Sequence, residues 1–190
     1  MKEKKIIKPK IDYLKVFTEL IKDQIIYGGK KYALNDKKES TDVLFEKHGK
    51  NWLFGTMDKY CFRYKNLIRE EDLLKIAAYS YVLWLKRGFH VQKQGINDII
   101  DTNVQIKENY FNDFINLIIE YFKINESKFS QIVDKISLTS AILELFSKSE
   151  WKDVEENLLI HIFCLVFYEW RFRFGNLEKH DTDTWNGEKK

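Results

Sequence analysis

The stretch WLFGTMDKYCFRYKN, residues 52–66, carries basic residues at a spacing that suits phosphate binding. If this stretch is helical, Lys59 and Arg63 lie on one face, because residues three or four positions apart are neighbours on a helix. Together they would offer several hydrogen-bond donors to one anion, and an arginine can bind a phosphate through two parallel hydrogen bonds. Trp52 lies on the same face, where its ring could stack on a base. The spacing therefore indicates a candidate nucleotide-phosphate site.

A glycine on the same face needs an explanation, because glycine inside a helix costs roughly 1 kcal/mol relative to alanine. Gly55 would be useful either where another backbone packs closely or where a ligand needs room beside Lys59. The opposite face is typical of a stripe that packs inward, and its members are Leu53, Met57, Tyr60, Cys61 and Tyr64. A structural interpretation also stays open, in which the bases are simply solvated.

The next predicted helix, about residues 69–87, brings further charged groups toward this site. It has acids in its first turn and bases in its last turn, an order that suits the helix dipole. Two helices joined by a short loop lie antiparallel, so Lys75 and Tyr79 should face the first helix. We expect a mixed cluster of acids and bases, which would be a salt-bridge network or a site for a metal-bound phosphate.

The combined pattern G-x-x-x-K-Y-x-x-R followed by E-D-L-x-K-x-x-x-Y resembles a family of small bacteriophage proteins described as nucleotide-kinase-like. In this chain it runs from Gly55 to Tyr79, which is 25 of the 190 residues. The resemblance implies phage nucleotide metabolism, with phosphoryl chemistry on deoxynucleotides. The chain is more weakly similar to the all-α nucleoside-triphosphate pyrophosphohydrolases, which hold Mg²⁺ with carboxylates on paired helices. In those enzymes one pair of carboxylates lies on each of two helices. The spacing of the first pair is present here at Glu39 and Asp42, but the second pair is absent.

These observations define two sets of candidate residues. The candidate substrate-binding residues are Trp52, Lys59, Arg63, Lys75 and Tyr79. The candidate Mg²⁺ ligands are Glu39, Asp42, Glu71 and Asp72, because hard cations prefer oxygen ligands. Either phosphoryl transfer or diphosphate release is chemically feasible at such a site, so the sequence leaves open whether the chain is an enzyme.

Other catalytic motifs are absent from the sequence. The segment YGGKKYALN lacks the spacing and the hydroxyl of a P-loop, and we interpret Gly28 and Gly29 as the end of the first helix. No G-x-S-x-G motif is present. The four histidines do not pair at metal-ligand spacing, and His161 is predicted to be a hydrogen-bonded core residue.

The composition predicts an all-α protein. The chain has a hydrophobic fraction of 44%, one proline and eight glycines, too few turn residues for an all-β fold. The net charge of +3 permits phosphate-bearing ligands, but a dedicated nucleic-acid binder is usually more basic. Two distant cysteines indicate a reducing compartment, and the longest apolar run is too short to cross a bilayer. We therefore expect no membrane association and a cytoplasmic location, the host cytoplasm if the chain is phage-encoded.

The pattern of helices divides the chain into a helical module followed by a second helical bundle. The predicted parts are a basic tail at 1–10, the module carrying the site at 11–90, a connector at 91–109, the second bundle at 110–175 and a polar tail at 176–190. The last helix is apolar nearly all round, which favours burial in a bundle or a homodimer interface. Because the second half has no chemical motif, a non-enzymatic module that binds a host protein or nucleic acid remains the alternative function.

Overall fold

The chain folds as an all-α protein, as the composition predicts. The structure is a computed structural model, and it describes residues 10–34, 38–89, 108–129, 135–148 and 150–175. None of the helices in these ranges is long and apolar enough to cross a membrane. The two predicted tails and the predicted connector fall almost entirely outside the described residues.

The described helices follow one another with few other elements between them. In chain order they are α1 (Lys10–Tyr32), α2 (Ser40–His48), α3 (Lys50–Leu67), α4 (Glu70–Arg87), α5 (Glu108–Phe129), α6 (Lys135–Ser147) and α7 (Glu156–Phe174). Two antiparallel strands of two residues each, β1 (Ala33–Leu34) and β2 (Lys38–Glu39), connect α1 to α2. A single 3₁₀ turn, Trp151–Asp153, precedes α7.

The first helix is longer than its sequence predicts. Gly28 and Gly29 do not end α1, which continues to Tyr32 and leads directly into the β ribbon. Glycine only weakens a helix, whereas burial of an apolar stripe stabilises it. Here Leu14, Phe17 and Ile21 are buried on one side of α1. The prediction that the glycines stop the helix is therefore wrong.

The observed ends of helices α3 and α4 lie within three residues of the predicted ends. The first turn of α4 holds Glu70, Glu71 and Asp72, and its last turn holds Lys86 and Arg87. The helix ends at Gly88, whose φ of 79° is the left-handed conformation that glycine adopts without strain.

The turn between α3 and α4 is short and strained. It consists of Ile68 and Arg69, and Ile68 has φ 50° and ψ 52°. A β-branched residue in this left-handed region is unusual, because its side chain crowds the backbone. The tight turn folds α4 back against α3, so the charged faces of both helices lie side by side.

Helix α7 lies at the centre of the fold. It packs most extensively against α4 and also contacts α1, α5 and α6. Eleven of its residues are buried, from Leu158 to Trp170. One hydrophobic core joins α1, α3 and α4 to α5, α6 and α7. The apolar sequence of α7 is thus accounted for within one chain and does not by itself require a dimer.

Candidate functional site

Helix α3 has two faces of opposite character. Leu53, Met57 and Tyr64 are buried, as predicted for the inward stripe, and the hydroxyl–thiol pair of Thr139 and Cys61 joins α3 to α6. Tyr60, which was predicted on the same stripe, is only half-buried, and its ring lies against basic side chains. Lys59 is exposed and Arg63 is about one-third exposed on the other side of the helix. The separation follows from helical spacing, since residues three or four positions apart lie on the same face of a helix.

Gly55 is exposed, and no atom lies within 4 Å of the position that a Cβ atom would occupy. Close approach of a neighbouring backbone is therefore not the reason for this glycine. Gly55 therefore lies on an open face of α3, and room for a ligand beside Lys59 stays a prediction.

Three basic side chains surround one aromatic ring, that of Tyr60. The Lys59 Nζ atom lies 4.4 Å from the ring centroid and the Lys75 Nζ atom 5.1 Å from it, while the Arg63 guanidinium carbon lies 5.6 Å away. At these distances a cation is attracted to the electron-rich face of a ring. The tyrosine thus helps to hold three like charges in one place, and the three bases selected from the sequence do come together.

The partners of these three bases differ. Lys59 makes no ion pair within the part of the chain that the structure describes, where its contact is the Tyr60 ring. The Lys75 ammonium pairs with Glu71, which lies one turn earlier on α4 and is 44% exposed. The Arg63 Nη2 atom lies 3.3 Å from the Asp72 Oδ1 atom. The cluster therefore has one more cation than it has carboxylates.

Asp72 is a completely buried carboxylate in this cluster. Its ion pair with Arg63 lacks hydrogen-bond geometry, so neither of its oxygens accepts a hydrogen bond from the described residues. Burial raises the pKa of Asp72, and the positive charges of Arg63 and Lys75 oppose that increase. A buried carboxylate with unused acceptor capacity is costly.

The two aromatic candidates lie beside the basic cluster. The rings of Tyr60 and Tyr79 stack with their centroids 6.1 Å apart, and Trp52 meets Tyr79 edge to face at 6.2 Å. All three rings are half-buried. The five predicted substrate-binding residues are thus contiguous around Tyr60, which the sequence analysis had placed on the inward-packing stripe.

The predicted metal ligands are described only in part. The backbones of Glu39 and Asp42 belong to β2 and α2, but their side chains lie outside the described part of the structure. Glu71 and Asp72 are adjacent to the basic cluster. Among the described side chains, no group of three or more His, Cys, Asp or Glu residues could hold a metal ion.

A second polar cluster lies on the buried side of α3, and the sequence reasoning missed it. The Tyr64 hydroxyl donates a hydrogen bond to Glu169 of α7, and the Arg173 Nε donates to the same carboxylate oxygen. Burial, followed by the Glu169 contact, raises the pKa of Tyr64, so the hydroxyl keeps its proton. The one available signal was the acid Glu169 within the otherwise apolar run of α7.

Two tryptophans anchor the ends of α7 to α4. The Trp170 indole donates a 2.7 Å hydrogen bond to Glu70, and the Trp84 indole donates a 2.8 Å hydrogen bond to Glu156. The predicted hydrogen-bonded role of His161 is confirmed, because its Nδ1 atom lies 3.3 Å from the Tyr121 hydroxyl. These contacts hold the scaffold that positions α3 and α4.

Comparisons with protein-family models, curated proteins and solved structures gave no match to this chain. The resemblance to phage nucleotide-kinase-like proteins therefore stays a prediction that rests on the residues between Gly55 and Tyr79.

Proposed function

We propose that this protein binds the phosphates of a deoxynucleotide in the groove between α3 and α4. The observation that carries the proposal is the excess of positive charge around Tyr60, where Lys59 has no carboxylate partner among the described residues. Lys59 and Arg63 are the two groups that a phosphate would reach first, because both remain accessible to solvent. An arginine beside a lysine is well suited to a dianionic group.

The aromatic side chains support a nucleotide rather than a simple anion. Trp52, Tyr60 and Tyr79 form a continuous row next to the cations. Aromatic rings stack on nucleobases with a favourable free energy of about 1–3 kcal/mol per base. A ligand carrying both a phosphate and a base would contact both parts of the site.

Mg²⁺ is part of this proposal. Two carboxylates are too few to enclose the ion alone, but Mg²⁺ is usually held by one or two carboxylates together with substrate phosphates. Glu71 and Asp72 have the oxygen chemistry for this role and adjoin the bases. With a metal-bound phosphate in place, phosphoryl transfer and diphosphate release both remain feasible. We assign the activity to the cytoplasm, since both cysteines are free.

The test is a thermal-shift titration of the full chain with deoxynucleoside triphosphates, with and without Mg²⁺. A ligand that binds the folded state raises its stability, by about 2.7 kcal/mol at a concentration of 100 times Kd. We expect a shift for the wild type and at least a tenfold loss of affinity in the variant Lys59→Ala/Arg63→Ala.

The matched control is Lys15→Ala/Lys123→Ala, which removes the same charge from exposed positions on α1 and α5. This control should bind nucleotide as the wild type does. Equal affinities for the wild type and the Lys59→Ala/Arg63→Ala variant would overturn the assignment.

A further inference from the structure

The ring of Tyr60 has no face left for a nucleobase. Three cationic side chains lie over it, with the Lys59 Nζ atom 4.4 Å, the Lys75 Nζ atom 5.1 Å and the Arg63 guanidinium carbon 5.6 Å from its centroid. The Tyr79 ring stacks on it as well, at an interplanar angle of 24°. A nucleobase could reach this ring only by displacing one of these groups. Tyr60 is therefore a contact for cations and not a platform for a nucleobase.

Each of the three cations keeps an internal contact and can still meet a phosphate. Arg63 pairs with Asp72, Lys75 pairs with Glu71, and the Lys59 ammonium lies over the tyrosine ring. A guanidinium has five N–H donors and an ammonium has three, so these contacts leave donors for phosphate oxygens. The ring can thus hold the cations together while they bind a phosphate.

The aromatic and charged groups follow a fixed order along the groove between α3 and α4. Trp52 lies eight residues before Tyr60, which is roughly 12 Å along the axis of α3. Tyr79 contacts both, with its ring centroid 6.2 Å from that of Trp52 and 6.1 Å from that of Tyr60. On α4, Asp72 lies about two turns before Tyr79, beyond Lys75. The order is thus aromatic rings, cations and carboxylate.

Trp52 is the ring at the outer end of this row. Among the described residues its ring contact is the edge-to-face one with Tyr79, and its side chain is only half-buried, so part of the indole is accessible. A nucleobase stacked on Trp52 is separated from the cations by about two helical turns. The phosphate next to the sugar would fall short of Lys59, and further phosphates would close the gap.

We propose that Trp52 stacks on the nucleobase and that Tyr60 positions the three cations on the outer phosphates, so the site takes nucleoside diphosphates and triphosphates in preference to monophosphates. The order of groups along the groove matches the order within such a ligand. The adjoining carboxylates lie at the end where the terminal phosphate would carry Mg²⁺. The inference rests on the proposed function and adds the direction of the ligand, its number of phosphates and the role of Tyr60.

The first experiment compares deoxyadenosine monophosphate, diphosphate and triphosphate by isothermal titration calorimetry with the full wild-type chain, without Mg²⁺. We expect the diphosphate and triphosphate to bind at least about tenfold more tightly than the monophosphate, the lower end of the effect of a hydrogen bond to a charged group. Equal affinities for the monophosphate and the triphosphate would overturn the inference. This comparison needs no variant, so it holds whatever the substitutions do to folding.

The second experiment uses inorganic tripolyphosphate, which has no nucleobase, to isolate the role of Tyr60. Tyr60→Leu should weaken its binding by roughly threefold to tenfold, because three like charges separate once the ring is gone. Tyr60→Phe should retain binding, because the attraction comes from the ring and not from the hydroxyl. Circular dichroism checks that both variants are folded. Unchanged or tighter binding of tripolyphosphate by folded Tyr60→Leu would overturn the inference.

The matched control is Phe62→Leu, which exchanges an aromatic for an aliphatic side chain at an exposed position of the same helix. It should bind tripolyphosphate as the wild type does. Trp52→Leu tests the other end of the ligand, and it should weaken deoxyadenosine triphosphate more than tripolyphosphate, because only the former has a base to stack. Equal weakening of the two ligands would overturn the placement of the base.

The outcomes separate this inference from the proposed function. If the triphosphate binds and depends on Lys59 and Arg63, but Tyr60→Leu binds tripolyphosphate like the wild type, only this inference fails. If the wild type binds neither deoxyadenosine triphosphate nor tripolyphosphate, the proposed function fails and this inference fails with it.

Discussion

Arg63 and Tyr64 are consecutive residues of α3, and they belong to two different polar clusters, one near the surface and one buried. On the inner side, Tyr64 and Arg173 share the carboxylate of Glu169, which is 2% exposed. On the outer side, Arg63, Lys59 and Lys75 surround a tyrosine ring close to solvent. The inner cluster pairs one acid with one base, while the outer cluster has an excess of bases.

We use this difference to distinguish a structural role from the proposed binding role. In the inner cluster the buried carboxylate of Glu169 already faces a base, so a bound anion would gain little there. An accessible cluster with surplus positive charge retains an attraction for anions that the protein itself does not satisfy. Three substitutions test this separation, beginning with the largest expected effect.

The inner cluster should matter most for stability. Glu169→Ala removes the acceptor of the buried Tyr64 hydroxyl and leaves a cavity, so we expect the free energy of unfolding to fall by about 3 kcal/mol. Chemical denaturation monitored by circular dichroism measures this loss. Glu71→Ala in the outer cluster, which removes an exposed ion pair, should cost less than about 1 kcal/mol. Equal losses in the two variants would contradict the comparison.

The outer cluster should matter most for binding. In Asp72→Asn, Arg63 loses its internal counter-ion and becomes more available to a phosphate. We expect affinity for a deoxynucleoside triphosphate without Mg²⁺ to rise by about tenfold, or about 1.4 kcal/mol, because the Arg63 guanidinium no longer faces a carboxylate 3.3 Å away. Isothermal titration calorimetry measures the change.

The control for Asp72→Asn is Asp58→Asn, which removes an exposed carboxylate from α3 with the same change in charge. It should change affinity much less, because solvent screens its charge. If Asp72→Asn instead lowers the affinity for the triphosphate measured without Mg²⁺, then Asp72 does not compete with the phosphate for Arg63.

The smallest expected effect concerns Gly55 on the open face of α3. Because a Cβ atom at this position meets no atom within 4 Å, Gly55→Ala should raise the free energy of unfolding by about 0.5–1 kcal/mol through helix propensity. Gly88→Ala is the matched control, and it should lower stability because φ is 79° there. Thermal unfolding measures the change in stability of both variants. A loss of stability in Gly55→Ala would mean that this face is not open.

The outer cluster could be predicted from the sequence, because all its members lie within one helical hairpin. Spacing placed Lys59 and Arg63 on one face, and the short connection placed α4 opposite. The inner cluster could not be predicted in this way, since Tyr64 and Glu169 are 105 residues apart and meet only through the packing of α7 against α3 and α4. The length of α1 was missed because Gly28 only weakens a helix and does not by itself end it.

The edge-to-face contact between Trp52 and Tyr79 has a practical consequence for spectroscopy. Trp84 and Trp170 are fully buried and hydrogen-bonded to acids, so their emission should change little when a ligand arrives at the surface. Trp52 is half-buried beside the basic cluster, where a bound base or phosphate would alter its surroundings. The difference in emission between the wild type and Trp52→Phe should therefore report occupancy of the groove without any added dye.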